Sequence, residues 1–243
     1  MATHGTKARF YYGAFDMSGY AEQVAVQLSR SFPEYRPLNG VAVRRPAGGH
    51  MDGSIALTGG AMEGPNSAHA WEQLQSGVTN AWAYLPGGDA LARLAILGQS
   101  KGQNQQYVAG DDIVRLPVAL VSTETLDTGE ILRALSYGGV SPGPSSDNTV
   151  PTDNGGAGYL ICTANTGNLD VAIQHSANNV DWTDLLAFTQ IAAGATGSQV
   201  KVVSPDTAVY RYLRATWTIS AAATFFVAFA RRYKTHGNSE PSM

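Results

Sequence analysis

The stretch His175–Leu185, HSANNVDWTDL, decides how this chain is read. It places a histidine, a serine and two aspartates within eleven residues. Taken as chemistry, these are the parts of a hydrolytic or metal site. Taken as structure, they are a turn between strands. The residues before it, Leu169–Gln174 (LDVAIQ), alternate apolar and polar as a strand does. The residues after it, Trp182–Phe188, return to strand formers. Between them, Ala177–Asp181 (ANNVD) carries Asn and Asp, which tolerate positive φ and bond their own backbone. His175 and Ser176 are consecutive, so a strand points them to opposite faces, where they cannot form a nucleophile–base pair. The turn accounts for every polar residue, and the stretch reads as strand–turn–strand.

Working outward, the same rhythm recurs. Tyr159–Thr163, Leu169–His175, Asp184–Thr189, Gln199–Val203, Tyr210–Ile219 and Thr224–Arg231 are strand candidates separated by Asn-, Gly- and Asp-bearing turns. In Tyr210–Ile219, Leu213, Ala215, Trp217 and Ile219 share one face, as in a half-buried antiparallel strand. Upstream, Glu22–Leu28 and Gly53–Thr58 alternate too, and Ile113–Val121 is a longer run that Pro117 marks as an edge or bulged strand. A short helix is expected near 66–76. Pro65, Asn66 and Ser67 can cap it, Ala68, Trp71 and Leu74 follow at helical spacing, and Gly77 closes it.

Residues 136–157 are mostly Gly, Pro, Ser and Asn, the composition of a linker or long loop. They divide a first part, 1–135, from a second, 158–234, with a polar tail at 235–243. The expected fold is mainly β: an antiparallel β-sandwich or barrel with one short helix, followed by a second β-sandwich-like domain.

The 243-residue chain has 16 Lys and Arg against 19 Asp and Glu, a net charge of −3. This gives no general attraction to nucleic acid or to an anionic membrane. The pairs Arg44-Arg45 and Arg231-Arg232 read as solvated charges at strand ends. The N-terminus lacks a signal-peptide core, and no apolar run reaches the length of a membrane span, so a cytoplasmic origin is expected. Only 14 % of residues are charged, against about a quarter in ordinary domains. Such a chain can hide surface in an assembly.

Catalytic motifs fail on their context. Gly98–Gly102 (GQSKG) fits the G-x-S-x-G pattern, but no helix pattern follows it, and it reads as a flexible turn. Cys162, the one cysteine, lies in the apolar run YLIC and reads as a buried small hydrophobe. The five histidines are scattered, and His50-Met51-Asp52 has no third ligand at metal-site spacing. No cofactor motif is present, and the chain reads as a non-enzyme.

Two groups of residues resemble a known family. Tyr11–Leu28 (YYGAFDMSGYAEQVAVQL), with its Gly-x-x-Asp-x-Ser-x-Tyr segment, resembles the opening of tail tube and major tail proteins of long-tailed bacteriophages. His50–Gly60 (HMDGSIALTGG) is similar to that family's next strand. Ile173–Gln190, Arg211–Ile219 and Phe225–Arg232 are similar to the C-terminal β-domain of phage tail and virion proteins. The resemblance implies a virion structural protein of the tail, made in the host cytoplasm. It implies self-assembly into stacked, hexameric rings, contact with other tail proteins, and DNA only as cargo in a lumen. The segment Arg30–Gly49 is longer than the corresponding loop in tube proteins. Long loops in compact domains are usually functional, so this one is a candidate assembly loop, with Arg36, Pro37, Arg44, Arg45 and His50 as its candidate residues. A head decoration protein and a carbohydrate-binding β module, with Trp182, Tyr210 and Tyr212 as sugar platforms, are the alternatives.

Overall fold

Apolar runs in which both alternating faces are hydrophobic mark strands buried on two sides. Gly156–Asn165 and Ala223–Arg231 have this character, and they lie at the centre of the molecule. The computed structural model describes residues 7–19, 21–30, 34–35, 43–44, 51–59, 78–105, 108–109, 114–115, 118–122, 126–135 and 138–232. In chain order the strands are β1 (Arg9–Tyr12), β2 (Phe15–Asp16), β3 (Ala21–Arg30), β4 (Glu34–Tyr35), β5 (Val43–Arg44), β6 (Met51–Gly59) and β7 (Thr79–Leu85). There follow β8 (Leu94–Gln105), β9 (Val108–Ala109), β10 (Val114–Arg115), β11 (Val118–Ser122), β12 (Asp127–Arg133) and β13 (Ser146–Asp147). The last six are β14 (Gly156–Asn165), β15 (Leu169–Ser176), β16 (Thr183–Ala187), β17 (Gly197–Val203), β18 (Tyr212–Ile219) and β19 (Ala223–Arg231). The fold is mainly β and antiparallel, as expected. The helix expected at 66–76 lies outside the described residues.

One large sheet runs β17-β14-β19-β12-β8-β11-β6-β3, with β7, β1 and β2 branching from β8. The branch point is β8. Its twelve residues carry β12 along Leu94–Leu97 and β11 along Ser100–Gln105, end to end on one side, with β7 on the other. The large sheet curls until β7 lies against β17, where Ala81 N–H donates to Ser198 Oγ at 3.0 Å. Inside the curl, Leu97, Ile131, Tyr159, Ile161 and Phe226 pack with Tyr11, Ala83 and Leu85. A smaller sheet, β13-β18-β15-β16, covers the other face. Between the layers, Leu160, Phe225, Val227 and Phe229 meet Val171, Ile173, Leu213 and Ala215. Side chains from both faces of β14 and β19 therefore enter cores, which is why YLIC and FFVAFA show no polar alternation. Parts 1–135 and 158–234 meet in this one sheet, through β12 and β19.

One reading needs correction here. Gly98–Gly102 is the interior of β8 and not a turn. Gly98 is there for closeness: a Cβ on it would sit 2.6 Å from the Trp82 ring and 2.8 Å from Leu126. Glycine in a strand often marks such an approach, and here it was mistaken for a breaker. Of the two alternatives for Ile113–Val121, edge or bulged strand, the described part shows the bulge: a register shift lies between Val118 and Ala119, and β6 and β8 flank β11.

The stretch 138–155 is a long loop laced to the small sheet. Gly143 N–H donates to Ala215 O, Trp217 N–H to Ser141 Oγ, and Thr152 exchanges backbone bonds with Val209. Replacing Gly98 by alanine should push on the Trp82 ring and cost about 1–3 kcal/mol, as overpacked cores do. A urea titration checks this: the midpoint should fall with the slope unchanged.

Candidate functional site

The stretch that opened the question is a built turn. Ser176 Oγ accepts from the N–H groups of Asn178 (3.3 Å) and Asn179 (2.9 Å). Asn178 Oδ1 accepts from Val180 and Asp181 N–H, both at 2.9 Å, and its amide donates to Asp181 at 2.7 Å. Asn179 takes φ of 63°, the left-handed region that Asn tolerates. The Ser176 hydroxyl, the Asn178 amide and the Asp181 carboxylate are thus committed to the turn. Asp184 instead accepts from Gln174 across β15 and β16.

His175 points the other way. Its Nδ1 accepts the Tyr210 N–H at 3.3 Å and its ring stacks on Tyr210 at 4.5 Å. Burial, with the Arg231 charge adding to it, holds its pKa below the ordinary histidine value. Burial pushes the Cys162 thiol up, so its reactive thiolate is disfavoured.

The two sheets are held together at their corners by side chains. Arg231 is buried at 7 % exposure, so the reading of it as a solvated charge is wrong. On β19 it shares the parity of Phe225, Val227 and Phe229, and that face is the core. Its guanidinium donates to the carbonyls of Val209 (3.2 Å), Tyr210 (2.7 Å) and Arg211 (2.9 Å), and reaches Glu130 at 3.3 Å. Glu130 also accepts from Ser146 Oγ on β13. At the opposite corner, the Gln199 amide accepts from Thr189 N–H and donates to Thr189 O, both at 2.8 Å. It imitates a rung of sheet between β17 and the segment after β16. The signal for Arg231 was its parity. None marked Gln199, whose partner is ten residues away.

Arg133 was also missed. A register shift between Ile131 and Arg133 re-aims the side chain, as bulges do. The guanidinium lies 3.6 Å from the Phe225 ring centre and 5.0 Å from that of Trp217, and donates to Phe225 O and Ala134 O. The aromatics proposed as sugar platforms each pair with a basic group of the same chain. Trp182 lies under Arg214 (4.1 Å), Tyr212 under Arg211 (5.0 Å), and Tyr210 against His175. Arg211 forms a two-pronged pair with Asp147, both bonds 2.6 Å, which holds that carboxyl down to about 2.

Of the candidate assembly residues, Arg44 lies in β5, opposite Glu34 of β4. Arg36, Pro37, Arg45 and His50 lie outside the described residues. Among the described residues no group of three metal-ligating side chains comes together.

No protein-family model matches the chain, and no curated protein matches it. Among solved structures, it is similar to a chain in the virion of a native gene transfer agent particle. That match has 12 % identity and a TM-score of 0.40, over 52 % of this chain and 98 % of that one. A chain in the tail of an empty gene transfer agent particle, of C6 symmetry, gives 12 % and 0.39, over 51 % and 97 %. The SPP1 Dit protein, described as a paradigm of the hub of the adsorption apparatus in phages infecting Gram-positive bacteria, gives 8 % and 0.37, over 92 % and 98 %.

Two outcomes follow from the clamp and the ring stack. Arg231→Met should cost about 1–3 kcal/mol, because it leaves the half-buried Glu130 carboxylate without its cation and the Tyr210 carbonyl without the guanidinium donor. Arg231→Lys should recover only part, since an ammonium lacks the fork. Chemical denaturation reads both. For His175, the folded state holds the neutral ring, so the unfolded state binds more protons in acid. Its contribution is present above the ordinary pKa of about 6.5 and is lost as pH falls through that value towards the lower folded one. Imidazole NMR titration should place the folded value below 6.5, and His175→Gln should flatten the acid limb of stability.

Proposed function

We propose that this chain is a structural subunit of a virion tail, and more specifically a tube subunit that stacks in rings around a passage for DNA. The observation that carries this is β3. It is a ten-residue strand that follows the Gly-x-x-Asp-x-Ser-x-Tyr segment, and it ends the order of the large sheet. Among the described residues it pairs with β6 alone. Val24 and Val26 pack inward against the cluster of Phe10, Tyr12 and Trp82, while Gln23, Ala25 and Gln27 are exposed. Monomeric proteins guard a long edge with prolines, lysines or bulges. From Gln23 to Leu28 β3 carries no charge and no proline, and its one register shift lies at its start, between Ala21 and Gln23.

Such an edge accepts a strand from another chain by main-chain pairing, with alternate side chains setting register. A head-to-tail contact of this type closes into a ring when its rotation allows. A net charge of −3 suits a wall along which DNA slides without adhering. The Arg30–Gly49 loop adjoins this same edge in sequence, which supports its reading as an assembly element reaching a neighbouring subunit or ring. The role is structural: the His, Ser and Asp residues of 175–184 are taken up by turn and sheet bonds, and Ser100 lies buried within β8.

Negative-stain electron microscopy with solution mass tests the reading. Six-fold rings or tubes are the expected result, and a monodisperse monomer or trimer would reject it in favour of a head decoration protein. The double substitution Ala25→Lys and Gln27→Lys should abolish rings while leaving the unfolding midpoint of the subunit in place.

A further inference from the structure

Two cations beside the small sheet, Arg211 just before β18 and Arg231 on β19 of the large sheet, have an anion or carbonyls as partners. Arg211 has Asp147, and Arg231 has Glu130 and three carbonyls. Arg214 differs. It sits on the outer face of β18, half-buried, with its guanidinium stacked 4.1 Å from the Trp182 ring centre. Its hydrogen-bond acceptor among the described residues is a neutral amide: Nε and Nη2 donate to Gln174 Oε1 at 2.9 and 2.7 Å. The nearest carboxylate in that chain of bonds, Asp184, is taken by Gln174 Nε2 at 2.8 Å. Arg214 therefore holds a positive charge in a partly desolvated place, fixed in direction by Trp182 and Gln174, with no anion supplied by its own sheet. Two of the five guanidinium hydrogens are used, and the Nη1 pair with the second Nη2 hydrogen remains for a planar anion.

Beside it the sheet is hollow. Ala172 and Thr216, paired across β15 and β18, lie one pleat along from the pair Gln174 and Arg214. Their small side chains floor a depression of about 260 Å³, walled by Ser141 on one side and by Ala187 and Phe188 on the other. Asp170 stands at the far end, its carboxylate held by Gln190 Nε2 at 3.0 and 2.9 Å. Four residue steps along the strand separate Asp170 from Gln174, about 13 Å at roughly 3.3 Å per residue. The hollow thus has a fixed carboxylate acceptor at one end and hydroxyls along it, and past its other end, outside its lining, Gln174 and Arg214 form the next pair of the register on that face. Its volume is below the range of roughly 300 Å³ and upward typical of clefts that engulf drug-sized ligands. A ligand that lies flat fits it better.

We propose that this face binds an acidic sugar, with the carboxylate on the Arg214 guanidinium and the ring over Ala172 and Thr216. Asp170 and Thr218 accept and share hydroxyl hydrogens at the far end. A protein acid side chain could satisfy the charge alone, but it would leave the hollow and Asp170 unused. The inference is independent of how copies of the chain assemble.

Titration calorimetry on the full chain tests it with a panel of uronate-bearing and sialylated oligosaccharides, uncharged cellotetraose, and sodium acetate. Saturable binding of at least one acidic oligosaccharide is expected, with cellotetraose at least tenfold weaker and acetate a poor competitor. Arg214→Gln should weaken binding tenfold or more. Ala172→Leu fills the floor without touching the cation and should do the same, so the test survives if the first variant fails to fold. No binding across the acidic panel, equal binding of cellotetraose, displacement by acetate as effective as by the sugar, or parental affinity in either folded variant would overturn the proposal.

Discussion

The guanidinium of Arg231 is the constraint on which the second layer depends. At this corner the Val209 and Arg211 carbonyls accept from the N–H groups of Thr152 and Asn148 and each keeps a second lone pair, while the Tyr210 carbonyl takes a side-chain donor, and a carbonyl left without one is costly. One planar group with five donors meets three successive carbonyls, Val209, Tyr210 and Arg211, where the chain turns into β18. The same group reaches Glu130 on β12, which in turn holds Ser146 of β13. Both edges of that corner are therefore tied to β19. The start of β18 sets its register against β15, and that register places His175 against Tyr210 and Gln174 beside Arg214.

The large sheet solves a different problem. Its central strands have core on both sides, so close approach is required in several directions at once. Glycines make room for it. A Cβ on Gly129 would lie 2.5 Å from the Phe229 carbonyl oxygen, and one on Gly156 would lie 2.3 Å from that of Ala230. Backbone does not yield as a flexible side chain does, so these positions fix how tightly β12 and β14 pack on β19. The curl that brings β7 to β17 follows from this tightness and from the register shifts in β12 and β14.

The β character was legible because alternation and turn chemistry agree with each other. Six strands from Tyr159 to Arg231 fall where periodicity puts them, and HSANNVDWTDL is the hairpin that its Asn and Asp residues specify. What failed did so for one physical reason: a residue's role depended on what lay above it in the next layer. Gly98 looks like a turn residue until Trp82 is placed over it. Arg231 looks solvated until the second sheet closes the corner. Arg133 cannot be aimed without its bulge. Of the candidate assembly residues, Arg44 alone falls among those described, in the short β4–β5 pair, and sequence had given it only a loop.

The division of labour between the two sheets follows from these constraints. A strand edge offered for pairing must be held still, because an edge that has to be ordered on contact spends binding energy on its own entropy. β3 and β6 lie far from the clamps, but they join the core through β11 and β8, and β8 is gripped by β7 and β12 along its first half. Among the described residues one continuous ladder runs from β19 to β3, the last strand in the order. The small sheet takes no part in that ladder. On its outer face Arg214 is held between the Trp182 ring and the Gln174 amide, so its direction is fixed by a neighbour in β15 and another just before β16.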